Sequence, residues 1–415
     1  MAVVTDEMVA EQVRAWLTEN WDPDLTVAQW WERLAASGYA APTWPEDDFG
    51  KGYPRGLANI VNREIAAFGA IGPPAGLGYL LAGPTIVAHG TREQKDAWLP
   101  RILNGQDSWC QLFSEPGAGS DLAGLQTKAE RDGDEWIITG QKVWTSTAQI
   151  CNLGMLIART DPDAPKHAGI TYFKFEMDQP GVEIRPLREM TGRAMFNEVF
   201  IDGARVHNDE MLGGLNNGWA VTNTTLAAER AGLGSGGSGA AGAAFPGAKA
   251  GQLDNRVGDS VGQVRTGGTG GGGGGMAGAL IRLAKEVGKN DDAVVRQGLA
   301  RLYTLGELGK FTMLRAKGGG GAAGGPNIAK LMMSDMLRLN REVGTHILGP
   351  DTMLMGADSL GGGMLQESIL FSPGPSIYGG TDQVQKNILG ERVLGLPKEP
   401  DPNKGKPFKD VPKNA

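Results

Sequence analysis

Cysteine is nearly absent: Cys110 and Cys151 are the only two in 415 residues. Two cysteines cannot build a disulfide framework, so a reducing, cytoplasmic setting is expected, with both thiols as small buried residues. No stretch reaches roughly 18 consecutive apolar residues, which excludes a helical membrane span. The opening residues MAVVTDEMVAEQVRAWL lack a basic segment followed by an apolar run, so no secretory signal peptide is expected. Basic clusters are missing too. With a net charge of −7, nothing marks a nucleic-acid surface. Apolar residues stand at 40%, low for a globular chain because glycine is so frequent: there are 65.

What is present divides into three stretches, followed by a short tail. Residues 1–108 read as helical. Thr5 can cap a segment whose apolar stripe is Met8, Val9, Val13, Trp16 and Leu17. Thr91 with Gln94 forms a capping box ahead of Trp98, Leu99, Ile102 and Leu103. Pro42 and Pro45 exclude regular helix between these. Residues 109–216 change pattern. Runs such as 135–139 and 198–201 are short, β-branched and aromatic, bounded by turn signals at Asp132-Gly133 and Thr139-Gly140. A compact antiparallel sheet or barrel is expected there. Residues 217–400 return to helix, with long periodic segments at 291–317 and 327–348 that suit a bundle. Residues 401–415 read as a loose tail.

Within the third stretch, residues 232–278 are rich in glycine and include an unbroken run from Gly270 to Gly275. Glycine costs about 1 kcal/mol per helical position relative to alanine, so the run argues against helix. A loop or linker is the plain reading, and a functional lid is the alternative.

Four clusters could carry chemistry. QLFSEPGAGSD (111–121) places Gly117 and Gly119 where a backbone could approach a ligand, with Ser114 and Ser120 as short donors. GQKVWTST (140–147) offers the flat face of Trp144 beside Thr145 and Ser146, which suits a flat aromatic cofactor. LAAER (226–230) puts Glu229 beside Arg230, and SIYGGTDQVQ (376–385) makes a glycine turn before a helix. Taken singly, these read better as a turn, a packed tryptophan, a solvated ion pair and a helix entry.

Their order and spacing resemble the acyl-CoA dehydrogenase family, from about residue 25 to 397. The ending NILGERVLGLP (387–397) is similar as well. The resemblance implies an α+β multidomain fold: an N-terminal helical domain, a middle β-barrel and a C-terminal four-helix bundle. It implies FAD as cofactor and a homo- or hetero-oligomer, a dimer or tetramer. Gln111, Leu112, Phe113, Ser114, Gly119 and Ser120 match the stretch along the flavin, and Trp144, Thr145 and Ser146 match the residues that flank its ring. Thr381 and Gln383 match contacts from the far side of the pocket. HILGP (346–350), with Gly349, matches a segment that meets a neighbouring subunit's cofactor.

The implied reaction is α,β-dehydrogenation of an acyl-CoA to the trans-2-enoyl-CoA, with electrons passing to an electron-transfer flavoprotein. Many members carry the base as the second residue of a YEGT motif, but that position here is Gly379. One branch carries it instead in an ER pair on the helix after the barrel, matched by Glu229 and Arg230. The resemblance therefore implies Glu229 as base, with Arg230 toward the CoA moiety and Ser120, Tyr378, Gly379 and Gly380 lining the substrate. The Gly379 N–H and a ribityl hydroxyl would hold the thioester oxygen.

A second departure concerns the arginine that reaches the FAD pyrophosphate in relatives. Ala284 occupies its place and Val287 that of a phenylalanine, leaving Lys285 or Arg282 as substitutes. The whole is similar to an actinobacterial branch, some of whose members act on branched or sterol side-chain thioesters or assemble from unlike subunits. The rival readings are a noncatalytic or half-site subunit of a heteromer, an acyl-CoA oxidase, and a flavin enzyme of this fold with a non-CoA substrate.

Overall fold

The structure, a computed structural model, describes residues 4–234, 244–260, 273–315 and 324–413. The helical N-terminal part contains α1 (Asp6–Asn20), α2 (Val27–Ala36), α3 (Arg55–Phe68), α4 (Gly83–His89) and α5 (Arg92–Leu103). The caps are those expected. Thr5 accepts from Met8 N, and Thr91 with Gln94 closes a capping box. Trp30 and Trp31 of α2 are fully buried and donate their indole N–H groups to Ile71 O and Gly72 O. Their large apolar area is thus removed from water without orphaning a polar atom.

The middle part is an eight-stranded sheet: β1 (Trp109–Leu112), β2 (Lys128–Asp132), β3 (Glu135–Ser146), β4 (Leu153–Arg159), β5 (Ile170–Glu176), β6 (Val182–Leu187), β7 (Phe196–His207) and β8 (Met211–Leu212). The order is β6-β7-β3-β2-β4-β5-β8, with β1 also on β4. Most pairs are antiparallel, as expected, but β1 and β2 run parallel to β4. Asp132-Gly133 is the turn between β2 and β3, whereas Thr139-Gly140 is not a turn. It lies inside β3 beside a register shift, and a Cβ on Gly140 would sit 2.4 Å from Thr127 Oγ1. Glycine is needed there for close approach, not for chain reversal.

The C-terminal part holds α6 (Gly218–Gly234), α7 (Gly273–Glu286), α8 (Ala293–Arg315), α9 (Gly325–Leu348), α10 (Met364–Phe371) and α11 (Asp382–Ile388). Ala277, Leu280 and Ala284 of α7, Val295 and Leu302 of α8, and Leu339, Val343 and Ile347 of α9 share one apolar core. That core explains a correction. α7 opens at Gly273, so the last three residues of the glycine run are helical. Burial further along the helix outweighs the propensity cost at its entry. Gly270 to Gly272 lie outside the described residues, as do 235–243 of the glycine-rich segment.

Two segments expected to be loose are docked. Residues 244–260 run along the N-terminal part. Val27 N donates to Asn255 O, Val257 N to Leu25 O and Gly247 N to Gly105 O, while Ala244 and Val257 enter the core. The tail packs on the sheet's loops. Phe408 N donates to Ala164 O, and the Arg159 guanidinium lies 3.6 Å over the Phe408 ring. Each segment exchanges backbone hydrogen bonds with loops and helix ends distant in sequence.

Candidate active site

The loop 111–121 and strand β3 form one unit. Glu115 and Lys142 are both buried, and Lys142 Nζ lies 2.8 Å from Glu115 Oε1 and 3.2 Å from Phe113 O. Glu115 also accepts from Gln126 N and Thr127 N, at 2.6 and 2.9 Å. Burial opposes the charge on Glu115, but these donors hold its carboxyl below the usual carboxylate range. Val143 N donates to Ser114 O, completing the link. Glu115 and Lys142 were not among the expected site residues. Their signal was the charged pair inside two otherwise small-residue motifs.

With the loop pinned, its tip faces outward: Gly119 and Ser120 are exposed and Ser114 is half-buried, while Leu112 and Phe113 are buried. Trp144 is not a core residue. It is 60% exposed and stands in a β-bulge with φ 60°. A left-handed backbone is unusual for a bulky side chain and is a cost concentrated at functional sites. Phe196 supports the indole edge-on, with ring centroids 5.8 Å apart. Thr145 is fully buried, and its Oγ1 has no partner among the described residues. Ser146 is half-buried next to it. An open indole face beside an unpartnered hydroxyl and a rigid glycine loop fits a flat, polar-edged cofactor such as FAD.

Helix α6 leaves the sheet with Val221, Thr222 and Thr225 fully buried. Thr225 Oγ1 lies 2.9 Å from Thr85 Oγ1 and 3.3 Å from Tyr172 OH. Glu229 is one turn further on, so it shares this inward stripe. Its Oε2 receives a long hydrogen bond, 3.5 Å, from Gln111 Nε2. The carboxyl thus reaches the loop strand, with the Glu229 side chain half-buried. Burial pushes its pKa up, opposed by the Gln111 hydrogen bond and the Arg230 charge. Burial also lowers the Arg230 pKa, with Arg392 as a like-charged neighbour.

The glycine turn is held from below by α9. Asp382 accepts from Lys330 Nζ at 3.1 Å and from Arg338 Nη1 at 2.8 Å. Asn327 Nδ2 donates to Gln385 Oε1, and Gln385 Nε2 donates to Gly379 O at 2.7 Å. Gly379 and Gly380 both have left-handed φ, 64° and 78°. Among the described residues, no backbone hydrogen bond occupies the Gly379 N–H. Tyr378 is half-buried, its phenol pushed up to about 12 by burial. Thr381 is engaged as the cap of α11, accepting from Val384 N, and Gln383 is exposed.

Gln111 and Glu229 are thus brought together within the chain. Gly349 lies elsewhere, at the C-cap of α9, where Lys289 Nζ bonds His346 O. Ala284 is fully buried in the bundle core, so that position offers nothing to a phosphate, while Arg282 and Lys285 are exposed. Both cysteines are free and buried. No helix among the described residues is long and apolar enough to cross a membrane.

The domain order and the fold are shared with known proteins. Residues 2–106 match the acyl-CoA dehydrogenase N-terminal domain, and residues 110–203 match the middle domain. The chain is 34% identical to the acyl-CoA dehydrogenase IpdE1 of Mycobacterium tuberculosis over 94% of its own length and 97% of that protein. It is 36% identical to FadE34 of the same organism over 88% of this chain and 46% of the relative. Among solved structures, the ChsE4-ChsE5 complex from Mycobacterium tuberculosis superposes with TM-score 0.67 at 26% identity, covering 96% of this chain and 100% of that one. A structure titled Tcur3481-Tcur3483 steroid ACAD shares the fold, with TM-score 0.70 at 24% identity over 96% and 100%. By its sequence and its fold, this chain belongs to the acyl-CoA dehydrogenase family.

Proposed function

We propose that this protein removes the α proton and the β hydride of an acyl-CoA thioester, with Glu229 as base and FAD as cofactor. The observation that carries the reading is the placement of the Glu229 carboxyl against Gln111, at the strand that leads into the flavin-type loop. The α C–H bond breaks and its proton goes to Glu229. The β C–H electrons leave as hydride, and a trans double bond forms between the two carbons. When bound, FAD supplies the hydride acceptor.

The remaining work is done by the chain. A half-buried carboxylate with a raised pKa is a better match for a weak carbon acid than a solvated one. The Gly379 N–H donates to the thioester oxygen as negative charge develops there. Trp144, Thr145, Ser146 and Ser114 would hold the cofactor ring, the indole by its exposed face and the others by their hydroxyls. Ser120, Arg230, Tyr378 and Gly380 contact the substrate, with Arg230 toward the CoA phosphates. Glycine at 379 leaves room where many relatives carry a glutamate, which favours a branched or polycyclic acyl group. An electron-transfer flavoprotein would be the partner that accepts the electrons.

The test is anaerobic bleaching of the flavin by a panel of short, branched and steroidal acyl-CoAs. Bleaching by none of them, in protein that carries FAD, counts against the reading. A second reading is that the chain serves as one half of a heteromeric pair, as the two-component title of the ChsE4-ChsE5 neighbour suggests. Co-purification of an unlike subunit, needed for bleaching, would favour it. Peroxide release in air would point to an oxidase.

A further inference from the structure

β1 alternates strictly. Leu112 and Cys110 enter the inner cluster of the sheet, and Trp109 enters the cluster shared with the helices. Gln111 lies on the Trp109 side by the period of two and meets α6. On α6, Thr225 is tied to Tyr172 of β5 and Thr85 of α4 one turn before Glu229. The helix is therefore anchored upstream, and Gln111 is the contact at the carboxyl itself.

We propose that Gln111 is a positioning residue for the base: its side-chain amide holds one oxygen of Glu229, leaving the other free for the α proton. This rests on the reading of Glu229 as base and extends Gln111 beyond a contact along the cofactor. A carboxylate has two acceptor oxygens, so one can be engaged while the other reacts. An amide suits the task because it donates without titrating and cannot compete for the proton. A donor to the carboxylate also favours its charged form, which offsets part of the burial.

Other ionisable groups face α6. Arg230 is on the helix itself, and Arg392 neighbours it. His89 of α4 reaches Thr224 at 2.7 Å, and burial lowers its pKa. Tyr172 on β5 is buried and Tyr79, just before α4, is half-buried, and desolvation raises the pKa of both phenols. From α9, Lys330 and Arg338 are engaged by Asp382, and Arg341 by Ser372. A difference measurement against Glu229→Gln removes their contributions.

The experiment is an infrared titration of the carboxyl C=O band of Glu229 in the holoprotein without substrate, taken as native minus Glu229→Gln. Gln111→Leu should move the midpoint upward by about one pH unit, the size of one hydrogen bond to a charged acceptor. The acid limb of flavin reduction, measured on the FAD-loaded fraction, should move with it, while KM for acyl-CoA changes little. Gln111→Glu keeps the side-chain size and places a like charge there, so it too should shift the midpoint upward. An unmoved midpoint in a folded Gln111→Leu or Gln111→Glu protein overturns the assignment, as does loss of FAD with no change in the titration. Separately, native-like turnover by Glu229→Gln would remove the base itself, and the role of Gln111 with it.

Discussion

Lys142 on β3 and Glu115 in the glycine loop make a buried ion pair, 2.8 Å from Nζ to Oε1, that joins the two motifs most characteristic of the chain. The pair spends its charges on each other and on backbone groups, so it reads as scaffolding under the cofactor loop. Lys142→Met would leave Glu115 buried without its cation, at a cost of roughly 3–5 kcal/mol. Denaturant unfolding should show this loss together with weaker FAD retention. The double variant Glu115→Gln with Lys142→Met should cost less than the two single changes summed. Additive costs would mean the residues act independently.

Glu229→Gln should reduce flavin reduction by acyl-CoA about 10²–10⁴-fold, the usual weight of a general base, while FAD stays bound. The folded-state pKa of Glu229 is raised by burial, so its charged form is the disfavoured one. Its contribution to stability is full below the unfolded pKa and is lost as pH rises through the folded value. A neutral glutamine avoids that loss, so the thermal midpoint at neutral pH should be equal or higher. A clear drop in midpoint would show that the carboxylate is held by contacts stronger than the Gln111 bond.

The same shift sets a pH dependence for catalysis. The base must be ionised, so kcat/KM should rise with pH through a limb above the ordinary carboxylate range. Stopped-flow reduction across pH measures it. A limb at the solution value of glutamate would mean the carboxyl is solvated during turnover.

Trp144→Ala should weaken FAD binding by tenfold or more, about 1.4 kcal/mol or above, since its open face is assigned to the ring. The fold should barely notice, because the side chain is 60% exposed and alanine keeps the same Cβ at the same φ of 60°. Flavin titration alongside apoprotein melting separates the two effects. Equal loss in both would make Trp144 a packing residue.

Asp382→Asn should destabilise the C-terminal part by about 3 kcal/mol or more, because Lys330 is fully buried and would lose its counter-charge. Burial opposes the Asp382 charge, but hydrogen bonds from Arg338, Ser334 and Lys330 hold its carboxyl well below the usual range. That stability is present above the unfolded pKa and is lost as pH falls through the folded one. The native protein should therefore lose more stability on acidification than the variant. Parallel acid-unfolding curves would contradict the assignment.

Much of the architecture was open to local reading. Caps at Thr5 and Thr91, alternation in β3 and β7, and long amphipathic stripes in α8 and α9 depend on residues only a few positions apart. The motifs at 111–121 and 140–147 are equally local, and their order raised the expectation of a cofactor surface. Sequence also located the exchange at 379, since glycine has no side chain to ionise whatever the fold.

Other features were decided only in three dimensions. The Glu229 carboxyl meets Gln111, 118 positions away, only because the fold brings α6 and β1 within side-chain reach. Trp144 turned outward because a bulge broke the alternation that would have buried it. The tail and residues 244–260 were ordered by backbone donors and acceptors offered from distant loops, and three glycines of α7 became helical through packing against α8 and α9. Propensity and spacing act over a turn or two of chain, whereas burial and hydrogen-bond satisfaction are settled by whichever segments the fold brings side by side.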